Sequence, residues 1–216
     1  MRRKRIICFG DSNTWGYDPA TGSRYDEDTR WPMLLQKSLG DAYQVIEEGQ
    51  NGRTIACPDP WEWGTKCGMD YILPMAESHA PFDLLIIMLG SNDLKTKFGL
   101  PAGDIAGSLQ NMLIRTIPFI KMQCRLPDAK ILIAAPVQIG EDVVKGNLSE
   151  FFDKEVPAKS RKLAYWYELV ARQFGCAFVD TSEKVTDVSQ IDHLHLSPEG
   201  HRQMARVMEE EVRKLL

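Results

Sequence analysis

Arg5-Ile6-Ile7-Cys8-Phe9-Gly10-Asp11-Ser12 sets a short apolar run directly ahead of a glycine, a carboxylate and a hydroxyl. A run of that length, apolar at successive positions, reads as a strand buried on both faces, and the glycine with its polar followers ends it. A second such run, residues 84–90, leads into Ser91-Asn92-Asp93. Residues 43–47, 130–135 and 177–180 are also short, apolar or β-branched, and bounded by Gly, Pro or polar residues. Helical patterns lie between these five strands. Trp31, Leu34, Leu35 and Leu39 fall on one face; Ile105, Leu109, Met112, Leu113 and Ile120 on another, with a kink expected at Pro118. Leu163, Trp166, Tyr167, Val170, Ala171 and Phe174 make a third face. A last helix opens on Ser197 as N-cap and Pro198, with a stripe of Met204, Val207, Met208, Val212 and Leu215. Strands alternating with helices predict an α/β fold: a five-stranded, mostly parallel sheet in a three-layer α/β/α sandwich. No repeat or linker interrupts the pattern, so residues 1–216 read as one domain.

In such sheets, sites form beyond the carboxyl ends of the strands. Four islands fall there: Gly10-Asp11-Ser12, Asn51-Gly52-Arg53-Thr54, Gly90-Ser91-Asn92-Asp93 and Asp192-His193-Leu194-His195. Each alone has an ordinary reading as a turn or cap. Together they hold a serine, amide donors and an acid–histidine pair, which are the parts of an acyl-transfer site. Ser12 is then the nucleophile, with Asp192 and His195 as its partners. His195 is preferred to His193 because three residues allow a local turn that joins ring to carboxylate. The oxyanion donors are the Ser12 and Gly52 backbone N–H groups and the Asn92 side chain. Asp11 and Asp93 are assigned to loop amides, and His79 and His201 to surface or capping roles.

The set resembles the SGNH (GDSL-type) hydrolases, and residues 8–17, Cys8-Phe9-Gly10-Asp11-Ser12-Asn13-Thr14-Trp15-Gly16-Tyr17, resemble their arylesterase/acyltransferase branch. Val45-Ile46-Glu47-Glu48-Gly49, Arg53-Thr54, Ile86-Ile87-Met88-Leu89-Gly90-Ser91-Asn92-Asp93 and His195-Leu196-Ser197 extend the likeness. The resemblance implies a flavodoxin-like sandwich, a serine esterase passing through an acyl-enzyme, acyl transfer to alcohols, and a homo-oligomer. Asn13 stands where many members carry leucine, and its effect is expected to stop at the wall of the site. Residues 57–68 and 137–156 follow no branch.

Trp15, Tyr17, Val137 and Ile139 are the candidate pocket residues. Trp61 and Trp63 are open to two readings, substrate stacking or packing in the core or between subunits. Phe151-Phe152 is read as a lid or an oligomer contact. Two Trp residues near the site motivate a carbohydrate O-acetylesterase as the sibling reading. A metal-dependent phosphoesterase using Asp11, Asp93, Asp192, His193 and His195 would leave Ser12, Gly52 and Asn92 without roles, so no metal or other cofactor is expected. A binding module on the same fold would leave all the catalytic parts unused.

Net charge of −4 offers no field for nucleic acid or an anionic membrane. The basic start, Arg2-Arg3-Lys4-Arg5, precedes too short an apolar run for a signal peptide, and no stretch reaches membrane-spanning length, so the expected location is the cytoplasm. The five cysteines, Cys8, Cys57, Cys67, Cys124 and Cys176, are expected as reduced thiols.

Overall fold

The computed structural model describes residues 2–216. Five parallel strands form one sheet: β1 (Lys4–Gly10), β2 (Tyr43–Gly49), β3 (Leu84–Met88), β4 (Lys130–Ala135) and β5 (Ala177–Asp180). Their order is β2-β1-β3-β4-β5, the doubly wound flavodoxin-like arrangement. Side chains alternate across the sheet. Ile6, Cys8, Leu84, Ile86, Leu132 and Ala134 face one layer, while Ile7, Phe9, Leu85, Ile87, Ile131 and Ile133 face the other. Every residue of β3 is buried, which is why the strand shows apolar residues without alternation.

The first layer holds α2 (Trp31–Leu39) and α7 (Pro198–Leu215), whose Trp31, Leu35, Met204 and Met208 pack on the sheet. The opposite layer holds α3 (Gly68–His79), α4 (Ala102–Pro118) and α6 (Leu163–Phe174), which contribute Ile72, Leu109, Met112 and Tyr167. Ser197 caps α7 by accepting from the Gly200 amide at 3.1 Å, with Pro198 at the first helical position.

Three helices were not foreseen in the sequence. α1 (Ser12–Trp15) and α5 (Val156–Ser160) are single turns, below the length at which periodicity registers. α3 carries Pro74 inside it, yet Ile72, Met75 and Ala76 are buried on one side of it, and that burial outweighs the lost backbone bond. Pro118 ends α4 and the chain continues through a π turn, Phe119–Gln123, with the Cys124 amide reaching Phe119 O at 3.0 Å. The expected kink is thus a widened turn, which keeps Ile120 buried. Cys176 lies just before β5 and is half-buried, and all five thiols are free. No described helix is long and apolar enough to cross a membrane.

Of the surface and capping roles expected for it, His201 takes the second. It is fully buried, and its Nδ1 accepts from the Trp31 amide at 3.3 Å, joining the first turns of α7 and α2. Burial, with His195 and Arg30 adding repulsion, pulls its pKa from the ordinary 6.5 to about 3. The unfolded chain therefore takes up a proton on His201 below pH 6.5 that the folded protein refuses until about pH 3, so stability falls with acidity across that window. In His201→Gln, urea unfolding across that window should lose up to about 1.4 kcal/mol per pH unit of slope relative to wild type. Parallel profiles for the two proteins would refute the assignment.

Candidate active site

The site begins where β1 ends. Gly10 and Gly49 are partners in the β1–β2 register, and both make room for α1. A Cβ on Gly10 would lie 2.1 Å from Thr14 Oγ1, and one on Gly49 would lie 2.2 Å from the Trp15 backbone nitrogen. With both positions empty of side chain, the turn bearing Ser12 folds down onto the sheet edge. Asp11 caps it, accepting from the Asn13 amide at 3.0 Å.

Ser12 Oγ lies 2.8 Å from His195 Nε2, and His195 Nδ1 lies 2.5 Å from Asp192 Oδ2. The other Asp192 oxygen accepts from the Leu194 and His195 amides at 3.1 and 3.0 Å. All three side chains are buried. Burial pushes the Asp192 carboxyl up, but the His195 bond and charge and the two amides together carry it below its ordinary range. The aspartate is therefore a stable anion behind the ring. Tyr17 packs on the other side, with ring centroids 4.5 Å apart.

The ring that meets Ser12 is that of His195. His193 adopts a positive φ of 56°, and its carbonyl accepts from the Gly140 amide at 2.8 Å, so it turns toward that loop. Asp11, Asp93, Asp192, His193 and His195 do not converge on a common point: among the described residues, no three His, Cys, Asp or Glu side chains are placed to hold a metal ion.

Gly52 and Asn92 reach the site from β2 and β3. The Asn92 amide donates to Arg53 O at 3.2 Å, and Asp93 accepts the Ile55 amide with both oxygens at 3.0 Å, so the two loops are tied together. Burial raises Asp93 to about 7 against the Ile55 bonds, with the charge of Asp11 adding to the rise. Arg53 donates to Gly10 O at 2.9 Å and stacks over Phe9 at 4.3 Å. Its own pKa is lowered by burial to about 10. Gly52 has φ +78°, a backbone conformation that favours glycine, and a Cβ there would lie 1.9 Å from Glu62 Oε2 and push that carboxylate aside.

These groups line one cavity of about 210 Å³. Ser12, His195, Asn51, Gly52 and Asn92 form its reactive wall, Glu62 and Lys95 a polar side, and Leu148, Phe151, Phe152 and Leu194 an apolar side with Tyr17. A larger cleft of about 360 Å³, lined by Ile117, Lys121, Lys130 and Phe174, lies at the amino ends of β4 and β5, away from these groups.

Of the candidate pocket residues only Tyr17 lines the cavity. Trp15 is turned aside under Arg24, whose guanidinium sits 5.4 Å over its ring. Val137 and Ile139 are buried in the two core layers instead, and the Ile139 amide donates to Ser160 Oγ of α5 at 3.1 Å. Glu62 and Lys95 were missed in the sequence. Lys95 is buried and pairs with Glu62 and, at 3.3 Å, with Asp59, a partner set 33 or more residues away that no local pattern signals. Trp61 and Trp63 stand 77% and 95% exposed on either side of Glu62, so neither belongs to the core. Asn13 does not line the cavity either. Its Oδ1 accepts from the Leu196 amide at 2.8 Å and its Nδ2 donates to Leu194 O at 3.4 Å, so the expected wall residue is a tie to the histidine loop.

A doubly wound sheet with serine, histidine and aspartate in line at its carboxyl edge defines a hydrolase site. The chain belongs to the GDSL-like lipase/acylhydrolase family, whose model matches residues 8–203, and is a carboxylic ester hydrolase. A solved carbohydrate acetylesterase family member from Sinorhizobium meliloti is 33% identical, with a TM-score of 0.87 and 99% of each chain covered. Est24, a carbohydrate acetylesterase from the same organism, is 28% identical with a TM-score of 0.87, covering 99% of this chain and 100% of that one. The native aryl esterase of M. smegmatis is 30% identical with a TM-score of 0.86, at 99% and 100% coverage. Comparison with curated proteins finds no match.

A Cβ at Gly49 would clash with backbone, which has no other conformer to adopt. Gly49→Ala should therefore displace the Ser12 turn, lowering stability by about 1–3 kcal/mol and ester turnover at least tenfold. Thermal unfolding and initial rates measure the two effects; unchanged turnover would show that the turn tolerates the added methyl.

Proposed function

We propose that this chain is a serine esterase that cleaves short-chain aryl and alkyl carboxylic esters through an acyl-enzyme on Ser12. The observation that carries the reading is the single imidazole bridging Ser12 Oγ at 2.8 Å and Asp192 Oδ2 at 2.5 Å. Ser12 Oγ attacks the ester carbonyl while His195 Nε2 takes its proton. Asp192 holds Nδ1–H and stabilises the imidazolium. The carbonyl oxygen, now an anion, is met by the Ser12 and Gly52 N–H groups and the Asn92 amide, each donor worth about 3–4 kcal/mol in such sites. Collapse expels the alcohol, which leaves with the proton from Nε2. Water then gives a proton to Nε2 as it attacks the acyl carbon, and Nε2 passes that proton to Ser12 Oγ as the acyl–oxygen bond breaks and the acid is released.

An alcohol in place of water at the second step gives a new ester. Leu148, Phe151, Phe152 and Leu194 beside the reactive wall support that route by offering an acceptor alcohol an apolar surface that water does not use. The test is the ratio of ester to acid product as a primary alcohol is added.

Ser12→Ala should remove nearly all ester hydrolysis with the fold intact, and Asp192→Asn should lower kcat about 10⁴-fold. Wild-type rates in Ser12→Ala on every ester tried would overturn the mechanism. A second reading, deacetylation of carbohydrate, draws on the exposed Trp61 and Trp63 beside the cavity, since indole faces stack on sugar rings, and on the two S. meliloti structures. Comparing kcat/KM for an acetylated sugar with that for a short-chain aryl ester separates the two. A sugar preference that vanishes in a Trp61→Ala, Trp63→Ala double variant would favour the second.

A further inference from the structure

We infer that Asn13 is a positioning residue that sets His195 against Ser12, an inference resting on the serine-esterase reading. The backbone from the Leu194 amide to the Leu196 amide has five polar groups, and each is bonded. Asp192 Oδ1 accepts from the Leu194 and His195 amides. His195 O accepts from the Ser189 amide at 2.7 Å. The remaining two, Leu194 O and the Leu196 amide, belong to Asn13, at 3.4 and 2.8 Å.

Asp192 and Ser189 lie on the same loop as the histidine, so their bonds fix its internal shape but not its place beside the nucleophile. Only Asn13, adjacent to Ser12 on α1, crosses between the two segments with bonds to backbone on both sides of His195. Its amide serves two opposite needs at once, accepting with Oδ1 and donating with Nδ2, which no carboxylate or aliphatic side chain of that size does. It is buried and off the cavity, so it touches no substrate. Losing it frees the loop to shift relative to Ser12, and a displacement near 1 Å at a reacting pair costs on the order of 10²-fold in rate.

The test compares Asn13→Leu, Asn13→Ala and Asn13→Asp with wild type and Ser12→Ala. Asn13→Leu and Asn13→Ala should each lower kcat at least tenfold with KM unchanged within about twofold. Asn13→Asp, which keeps the acceptor for the Leu196 amide, should recover part of the loss. The low-field NMR resonance of the proton between His195 and Asp192 should stay, because that pair is internal to the loop, while inactivation by a serine-directed phosphonate should slow in step with kcat. If Asn13→Leu does not fold, as read by circular dichroism, Asn13→Ala decides, since it adds no bulk. Turnover within twofold of wild type in the folded variant, or kcat and KM changing together, overturns the inference. Loss of turnover in Ser12→Ala alongside full turnover in the Asn13 variants would sink only this inference; full turnover in Ser12→Ala would sink the esterase reading itself.

Discussion

Parallel pairing of β1 with β2 on one side and β3 on the other is the constraint from which the site follows. It aligns the carboxyl ends of three strands, so the chain leaves the sheet at three neighbouring points. Each exit then carries one group: Ser12 after β1, Gly52 after β2, Asn92 after β3. Strand order reverses at β1, and the crevice that opens there is where doubly wound folds bind ligands. The histidine arrives from the far edge of the sheet. Its loop is closed on itself by an antiparallel bridge between Val188 and Leu196 and joined to the Ser12 turn by the Asn13 tie.

Beneath these groups lies a buried charged layer. Asp11 and Asp93 satisfy backbone amides of α1 and the Gly52 loop, and burial raises both above the ordinary carboxylate range. Arg53 answers them from among Phe9 and Tyr71. Such groups are costly to bury singly and rigid when fully bonded. The layer holds the Gly52 and Asn92 loops together without itself facing the cavity. Asp192 differs from this pair, because its bonds to His195 and two amides more than offset its burial.

The sheet, its class and four of the helices were legible because apolar period reports burial directly, and residues 130–135 and 177–180 were bounded to the residue. That Ser12, Gly52, Asn92 and His195 meet at one cavity was legible because strand ends predict where loops converge. What escaped was set by contacts between distant segments. Lys95 and Glu62 line the cavity through an ion pair formed across two loops, and His201 is buried by α2 packing on α7. Val137 and Ile139 followed a strand end and were expected in the site, but apolar residues there serve core and cavity alike. Asn13 was misjudged because a polar side chain in a turn has many local partners, and only the folded chain reveals the one it takes.

The two glycines that face each other across β1 and β2 are unequal under mutational drift. At Gly10 the two nearest obstacles are the Thr14 Oγ1 and Cβ, which a companion change to glycine would clear, but Met88 O of β3 would still lie 3.0 Å from the added Cβ. At Gly49 the obstacle is the backbone of Thr14 and Trp15, which every amino acid shares. No partner substitution restores that space. Relief at Gly10 therefore needs both a change at Thr14 and a few tenths of an ångström from β3, whereas Gly49 has no compensating route as long as a helical turn carries the serine.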